Sequence, residues 1–531
     1  FGALAWAPGA FAADGTEADA RIARLEAAVA TLQAQVQAQN GAVQENAELK
    51  QEVGALQAQV AELKTTSIET IKAVKASKPS VIASLKNAKP SLATPDGRFS
   101  VNLRAVVQLD TAIYDQAAAG PIATDFRRSG PALGFSSTNV DLAHARQLKD
   151  GTDFRRARFG VDGNVFGPFQ YRLIFDFGGS GVENAGQLYE GWAQYSGLNP
   201  FKLRIGAMAP EAGLADQDST SAQPFLERPA SGDIERNFAA GDTRIAAQAF
   251  ASGKYWLASA AVTGRTVGVV NAGTGSFTPQ TYSDPLAFVG RVATTALHGD
   301  DWLIHLGGHA TYLEHPADVS GPPLSGPSPF SRQAVSFSDQ AELRVDGTRL
   351  INTGNIDARH ADNEGAEVAA QWKGLLIQSE YDHFHVDRTA PGVTDPHFDG
   401  WYVEGSWVVN GAGRKYNSDT AAFDAPPVPH PLGGGGVGVV EFALRYADMN
   451  LNYHAGAPGT APAPDAIRGG ELETWSGAVN WYLNPAIRLA FEVQHVEVHR
   501  LSPDAVIYQT PIGAQIGQHY NAFAVRSQIA F

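Results

Sequence analysis

The stretch from Phe154 to Phe177, FRRARFGVDGNVFGPFQYRLIFDF, decides how the chain is read. Ala157, Phe159, Val161, Gly163 and Val165 fall on one side of a two-residue repeat, and Arg156, Arg158, Gly160, Asp162 and Asn164 on the other. After Phe166-Gly167-Pro168 the pattern resumes. Phe169, Tyr171, Leu173, Phe175 and Phe177 share a face, Gln170, Arg172 and Asp176 oppose them, and Ile174 is the exception. Side chains on a strand alternate with period two, so this is a hairpin with an apolar face and a charged face. Each arm runs about ten residues, the length a tilted strand needs to cross a bilayer. A soluble sandwich would instead hide aliphatic residues and show few large aromatics outside.

Composition agrees with a barrel. The 531 residues contain 55 Gly, 30 Pro and only 18% charged residues, with a formal charge of −15 that argues against nucleic acid as a partner. No run of 18 apolar residues occurs, which excludes a helical span and leaves a barrel open, because barrel strands hide their apolar half by alternation. Zero cysteines exclude disulfides and thiolate metal sites.

Residues 1–12, FGALAWAPGAFA, read as the remnant of a secretory signal ending in Ala10-Phe11-Ala12, with the mature start at Ala13. From 13 to 64 the apolar residues recur in threes and fours: Ile22, Leu25, Val29, Leu32, Val36 and Val43, then Leu49, Val53, Leu56, Val60 and Leu63. We read this as a periplasmic coiled coil with a three-residue insertion between Asn46 and Leu49. Residues 65–97 form a linker containing Lys72, Lys75, Lys78, Lys86 and Lys89.

The barrel is expected over 98–531. Its first strand is Phe99–Tyr114, and after the opening hairpin similar ribbons recur twelve times before the chain closes on His519–Phe531. Long Gly/Pro-rich stretches such as Ser320–Ser331 and Ser418–Gly436 separate some of them; short turns on one side and long loops on the other are the layout of an outer-membrane barrel. About 430 residues at roughly 27 per strand and loop predict about 16 antiparallel strands. The fold class is thus an all-β transmembrane barrel with an N-terminal α-helical coiled-coil extension, and Phe531 closes an amphipathic last strand as an outer-membrane insertion signal would.

Several ordered stretches together resemble the phosphate-selective porin O and P family. They are PSLATPDGRFSVNLRAVVQLD at Pro90–Asp110, the opening hairpin, STSAQPFLERP ending at Pro229, RLINTGNI at Arg349–Ile356 and GRKY at Gly413–Tyr416. GVGVVEFALRYADMNL at Gly436–Leu451, GAVNWYLNPAIRLAFEVQHV at Gly477–Val496 and RSQIAF at Arg526–Phe531 complete the set. The resemblance implies a trimeric barrel of sixteen strands with a loop folded into the lumen. Here that loop is expected at about 209–241. It also implies inward arginines and a lysine cluster selecting anions. Alternation turns Arg104, Arg156, Arg158, Arg172, Arg204, Arg291, Arg445 and Arg526 inward, and Arg228, Arg236 and Arg244 lie in or beside the loop. Guanidinium suits phosphate because its planar donors bind two oxygens at once. The departure is in the lysines. Lys149, Lys202, Lys254, Lys373 and Lys415 form no cluster along the barrel sequence.

His383, His385 and Asp387 share a strand face and are acceptable metal-ligand types, as do His495, Glu497 and His499; we read both sets as solvated pore-mouth residues. No nucleophile–base motif or phosphate-cradling glycine loop occurs in a strand–helix setting, so no catalysis, cofactor or bound metal is expected. The sequence reads as a bacterial outer-membrane porin for small anions, phosphate or pyrophosphate among them. Expected partners are two further copies in a homotrimer, outer-membrane lipid and lipopolysaccharide, the barrel insertion machinery and, through the coiled coil, peptidoglycan. The alternative is a general, weakly selective porin for small polar solutes whose coiled coil tethers the envelope.

Overall fold

The computed structural model describes residues 13–38, 45–76, 81–86, 88–116, 148–179, 186–239, 243–267, 284–317, 333–502, 512–513 and 515–531. The expected signal remnant, Val43 and Ser320–Ser331 lie outside them. The chain divides into two units, 1–82 and 83–531.

The first unit is a pair of helices, α1 (Ala13–Ala38) and α2 (Glu45–Ala76). They pack on each other within one chain. Ile22, Val29, Val53 and Val60 are buried, and Glu26 pairs with Lys64 across the pair. The apolar repeat therefore meets itself inside one chain, where we expected one extended coil. Leu25 and Leu56 are half-buried, and Leu63 is exposed. The side chains of Leu32, Val36 and Leu49 lie outside the described ones. Helix α2 also runs through the first twelve residues of the expected linker, since Thr65–Ala76 holds no Gly or Pro to stop it. Further along the expected linker, Ile82–Lys86 pairs with Lys89–Ala93, which in turn pairs with the start of the first barrel strand through Ser91↔Asn102 and Leu92↔Val101.

The second unit is a closed antiparallel barrel. Its sixteen strands among the described residues are β1 (Ser100–Gln116), β2 (Gly151–Val165), β3 (Phe169–Asp176), β4 (Gln187–Leu198), β5 (Phe201–Met208), β6 (Arg244–Ser252), β7 (Trp256–Thr266) and β8 (Leu286–His298). They continue as β9 (Trp302–His315), β10 (Ile356–Trp372), β11 (Leu375–Arg388), β12 (His397–Val408), β13 (Val439–Tyr453), β14 (Ile467–Tyr482), β15 (Ile487–His499) and β16 (His519–Ala530). Each pairs with its neighbour, and β16 closes on β1 through Ile529↔Val107 and Val525↔Thr111. The C-terminal residue is stitched in as well: Phe531 and Ala105 exchange backbone hydrogen bonds of 3.0 Å in both directions. In the opening hairpin Phe166 and Gly167 both have positive φ, 52° and 88°, the backbone a tight hairpin turn requires.

Outward residues such as Leu103, Ile205, Phe288, Val292, Leu444 and Phe523 are exposed, an apolar band that water would penalise and lipid accepts. Aromatic pairs border it at both rims. Phe99 and Phe166 lie 4.8 Å apart at the turn rim, and Tyr446 and Trp475 4.7 Å apart at the loop rim. Beyond the loop-rim aromatics several strands run on with polar outer faces. β10 begins at Ile356, nine residues before the expected Gly365, because IDARHADNE lies past the apolar band and loses the alternation that marks a lipid-facing strand. No helix among the described residues is long and apolar enough to cross a membrane.

Counting strands puts residues 409–438, between β12 and β13, at the rim of the short turns and both barrel ends. The sequence reading had grouped Ser418–Gly436 with the long loops of the opposite rim; the number of preceding strands, not loop length, decides the side.

Candidate functional site

Two chain segments fold back inside the barrel from the loop rim. Between β5 and β6, residues 210–238 are almost all buried; they carry the short helix α3 (Leu214–Gln217) and the helix α4 (Ala230–Ala239). Inward side chains from distant strands hold this segment. Glu380 accepts from the backbone N–H groups of Leu214 (2.7 Å) and Ala215 (3.0 Å), Glu492 accepts from that of Leu226 (2.7 Å), and Asn480 donates to the Pro224 carbonyl (2.7 Å). Between β9 and β10, residues 334–351 are buried in the same way. Nothing in the apolar pattern marked this second segment, because its run DQAELR reads as a polar surface loop; inside the lumen Glu342 meets Arg445 and Arg344 meets Asp233.

Together the two segments build an apolar cluster in the loop-rim half of the lumen. Leu226, Ile234 and Phe238 of the first and Phe337, Leu343 and Ile351 of the second pack against inward Phe384, Phe398, Met449 and Val496. Beneath it lies a layer of buried ion pairs. Arg291 meets Glu367 at 2.7 Å, Arg414 meets Glu441 at 2.7 Å, and Arg526 meets Asp110 and Glu227 at 2.6 Å each. Burial pushes the Glu227 carboxyl up, but the guanidiniums of Arg155, Arg156 and Arg526 outweigh it and hold it well below the usual carboxylate range.

The turn-rim half holds a cavity of about 1090 Å³. Its described lining carries ten basic side chains against six acidic ones, a positive surface inside a chain of net charge −15. Arg104, Arg158, Arg172, Arg204, Arg228 and Arg236 line it, as do Lys89, Lys202 and Lys415. Three lysines scattered over more than 300 positions thus reach one cavity, a convergence that only barrel closure and the inward turn of 409–438 create. Burial raises Glu211, Asp218 and Asp424 on its wall, which deepens the positive bias; Lys89 is lowered, by burial first and then by the Arg104 charge.

The predicted arginines separate into three groups. Arg156, Arg291, Arg445 and Arg526 are buried against carboxylates: Arg156 on Glu227 at 2.9 Å, Arg445 on Glu342 and Glu404. Arg228 donates to the backbone carbonyls of Ala215, Asp216 and Asp218, Arg236 pairs with Asp216 at 2.7 Å, and Arg244 donates to Asn237 at 3.1 Å; these three brace the inserted segment. Facing the cavity are Arg104, 2.6 Å from Asp162; Arg172, 3.1 Å from Glu190; Arg158, 2.6 Å from Asp176; and Arg204. Arg204 donates to Gln194 at 2.9 Å and lies over the rings of Trp192 and Phe250, with no acid paired to it among the described residues. Lys89 and Lys415 likewise have no described ion-pair partner. Ile174, the exception to the alternation, lines this cavity.

His383, His385 and Asp387 do not converge. They face outward above Tyr381, and each meets a different neighbour: Asp399 at 2.8 Å, Asp362 at 3.2 Å and Arg359 at 3.5 Å. In the second set His495 meets Asn521 at 2.8 Å and Glu497 at 3.3 Å, and His499 meets Glu497 at 3.6 Å, all three side chains exposed.

A lipid-facing barrel of sixteen strands around a charged internal cavity defines an outer-membrane porin. A profile of the phosphate-selective porin O and P family matches residues 133–525, and the chain belongs to that family. Porin O of Pseudomonas aeruginosa is 21% identical over 407 residues, 75% of this chain and 83% of that protein. An uncharacterised protein of Caulobacter vibrioides is 22% identical over 66% of this chain and only 63% of its own length. Among solved structures, an anion-selective porin from Comamonas acidovorans aligns over 82% of this chain and all of its own, at 13% identity and a TM-score of 0.45.

Proposed function

We propose that this porin passes small anions, phosphate among them, and assembles as a homotrimer. The observation that carries this reading is the cavity surface: four more basic than acidic side chains, with Lys89, Arg204 and Lys415 unpaired among the described residues. In a low-dielectric wall such a surplus concentrates counter-ions and repels cations. The test is planar-bilayer reversal potential across a KCl gradient, followed by phosphate titration of the chloride current. Anion preference with block by phosphate supports the reading; cation preference overturns it.

The general-porin alternative has one observation in its favour: Arg156, Arg291, Arg445 and Arg526 spend their charge on buried acids. It predicts near-equal passage of both ions and no block. The helical pair fits a periplasmic tether toward peptidoglycan, reaching about 48 Å at 1.5 Å per residue over the length of α2. Its test is envelope integrity and peptidoglycan co-sedimentation of cells carrying a chain without the two helices; unchanged co-sedimentation rejects the tether.

A further inference from the structure

One cluster lies away from the anion cavity. Where α4 meets β9–β11, His309, Glu367 and Glu380 bring ligand-type atoms within 4.8 Å of one another, all three side chains buried. His309 Nδ1 stands 3.1 Å from Glu367 Oε1 and 3.5 Å from Glu380 Oε1. Bonds of about 2.1 Å to a tetrahedral zinc place neighbouring ligands about 3.4 Å apart, so these two separations already match. On its far side His309 Nε2 meets Asp382 Oδ1 at 3.1 Å, the carboxylate–histidine arrangement that fixes the tautomer of a metal-binding imidazole. Two glycines make room: a Cβ on Gly365 would meet His309 Nε2 at 2.0 Å, and one on Gly213 would meet Glu380 Oε1 at 2.4 Å.

A second observation points to a missing ligand. Glu235 on α4 is 1% exposed, its Oε1 has no hydrogen-bond partner, and the charges acting on it include those of His309, Asp382 and Glu380. Asp382 Oδ2 is buried and unpartnered as well. Arg291 and His305 both meet Glu367, at 2.7 and 3.1 Å, which leaves Glu235, Glu380 and Asp382 with His309 as the imidazole among them. Buried carboxylates in such excess are costly without a counter-charge.

We propose that His309, Glu367, Glu380 and Glu235 bind one divalent cation of the zinc class, with Asp382 orienting the imidazole, and that this ion pins the inserted helix α4 to the barrel wall. The ligand set spans both partners: three residues come from adjacent strands and one from the segment packed on them. The site is independent of the anion reading, since none of its four ligands lines the charged cavity.

The experiment uses the full chain in detergent, stripped with a chelator and dialysed against zinc chloride, with bound metal counted by mass spectrometry and the melting temperature followed. One zinc per protomer and a higher melting temperature are expected. Exposed histidines bind zinc adventitiously, so His383→Gln serves as the control and should retain it. His309→Gln should lose the ion, and Asp382→Asn should weaken it about 10–100-fold. Glu235→Gln, which removes an unpartnered charge at constant shape, should fold at least as stably without metal and lose the zinc-induced shift, so the test stands even where His309→Gln fails to fold. No zinc retained by the parent chain, or equal retention by Glu235→Gln, overturns the proposal.

Discussion

At the level of single residues, the arginines differ in what they are for. Arg526 is fully buried with two carboxylates and the Leu226 carbonyl on its guanidinium. Removing it strands Asp110 and Glu227 without counter-charge, so Arg526→Gln should destabilise the barrel by about 3–5 kcal/mol, read as a fall in melting temperature in detergent. Arg104, whose side chain is 31% exposed, should cost about 1 kcal/mol or less when changed to Gln, because solvent screens its pair with Asp162. Arg204→Gln should leave stability nearly unchanged and move the reversal potential toward zero. Glu342 adds a pH term. Burial pushes its carboxyl up to about 7, with Arg445 opposing and Glu492 assisting. A folded pKa above the unfolded value means stability that is complete below about pH 4 and lost as pH rises through 7. The melting temperature should therefore fall as pH rises from about 4.5 to about 7 and level off above, and Glu342→Gln should flatten that slope.

Among the elements, the inserted segments fill the loop-rim half of the lumen and the connection at the turn rim reaches the charged cavity. Phe337 is 2% exposed and stacks among Phe238, Phe384 and Phe398 with centroids 5.4–5.9 Å away. Phe337→Ala should cost about 3–5 kcal/mol by opening a cavity in this cluster, and single-channel conductance should rise as the segment loosens. The connection 409–438 is latched by Lys202–Asp419 at 2.8 Å and by Arg291 donating to the Thr420 carbonyl at 2.7 Å. Replacing residues 411–437 by a two-residue turn should raise conductance and weaken anion preference together, since Lys415 leaves with it. Conductance without loss of preference would place selection on the barrel wall alone.

For the whole molecule, the charged cavity belongs to one of the two units. Every cavity-lining charge belongs to the unit that starts at Ala83, so deleting residues 13–76 should leave conductance and reversal potential unchanged. A changed reversal potential would show that the helices contribute to the passage.

The sequence by itself determined the barrel. Alternation with period two, recurring in sixteen stretches, is a local property of each strand, and it named the strands, their lipid-facing sides and the inward direction of Arg104, Arg156, Arg172 and Arg204. The inserted segment near 209–241 was expected from the family resemblance, and placed by its length and its position after the fifth strand. Only the tertiary structure decided which inward arginines meet an acid, because Arg156 and Arg526 find Glu227 on a segment 71 and 299 residues away. It alone folded 334–351 inside, where Arg445 and Asp233 pair with Glu342 and Arg344 of a run that reads as a surface loop. It brought Lys89, Lys202 and Lys415 to one wall, and turned the helical repeat onto itself. Pattern reports which side a residue faces; what stands opposite depends on closure of the ring and on the loops that fill it.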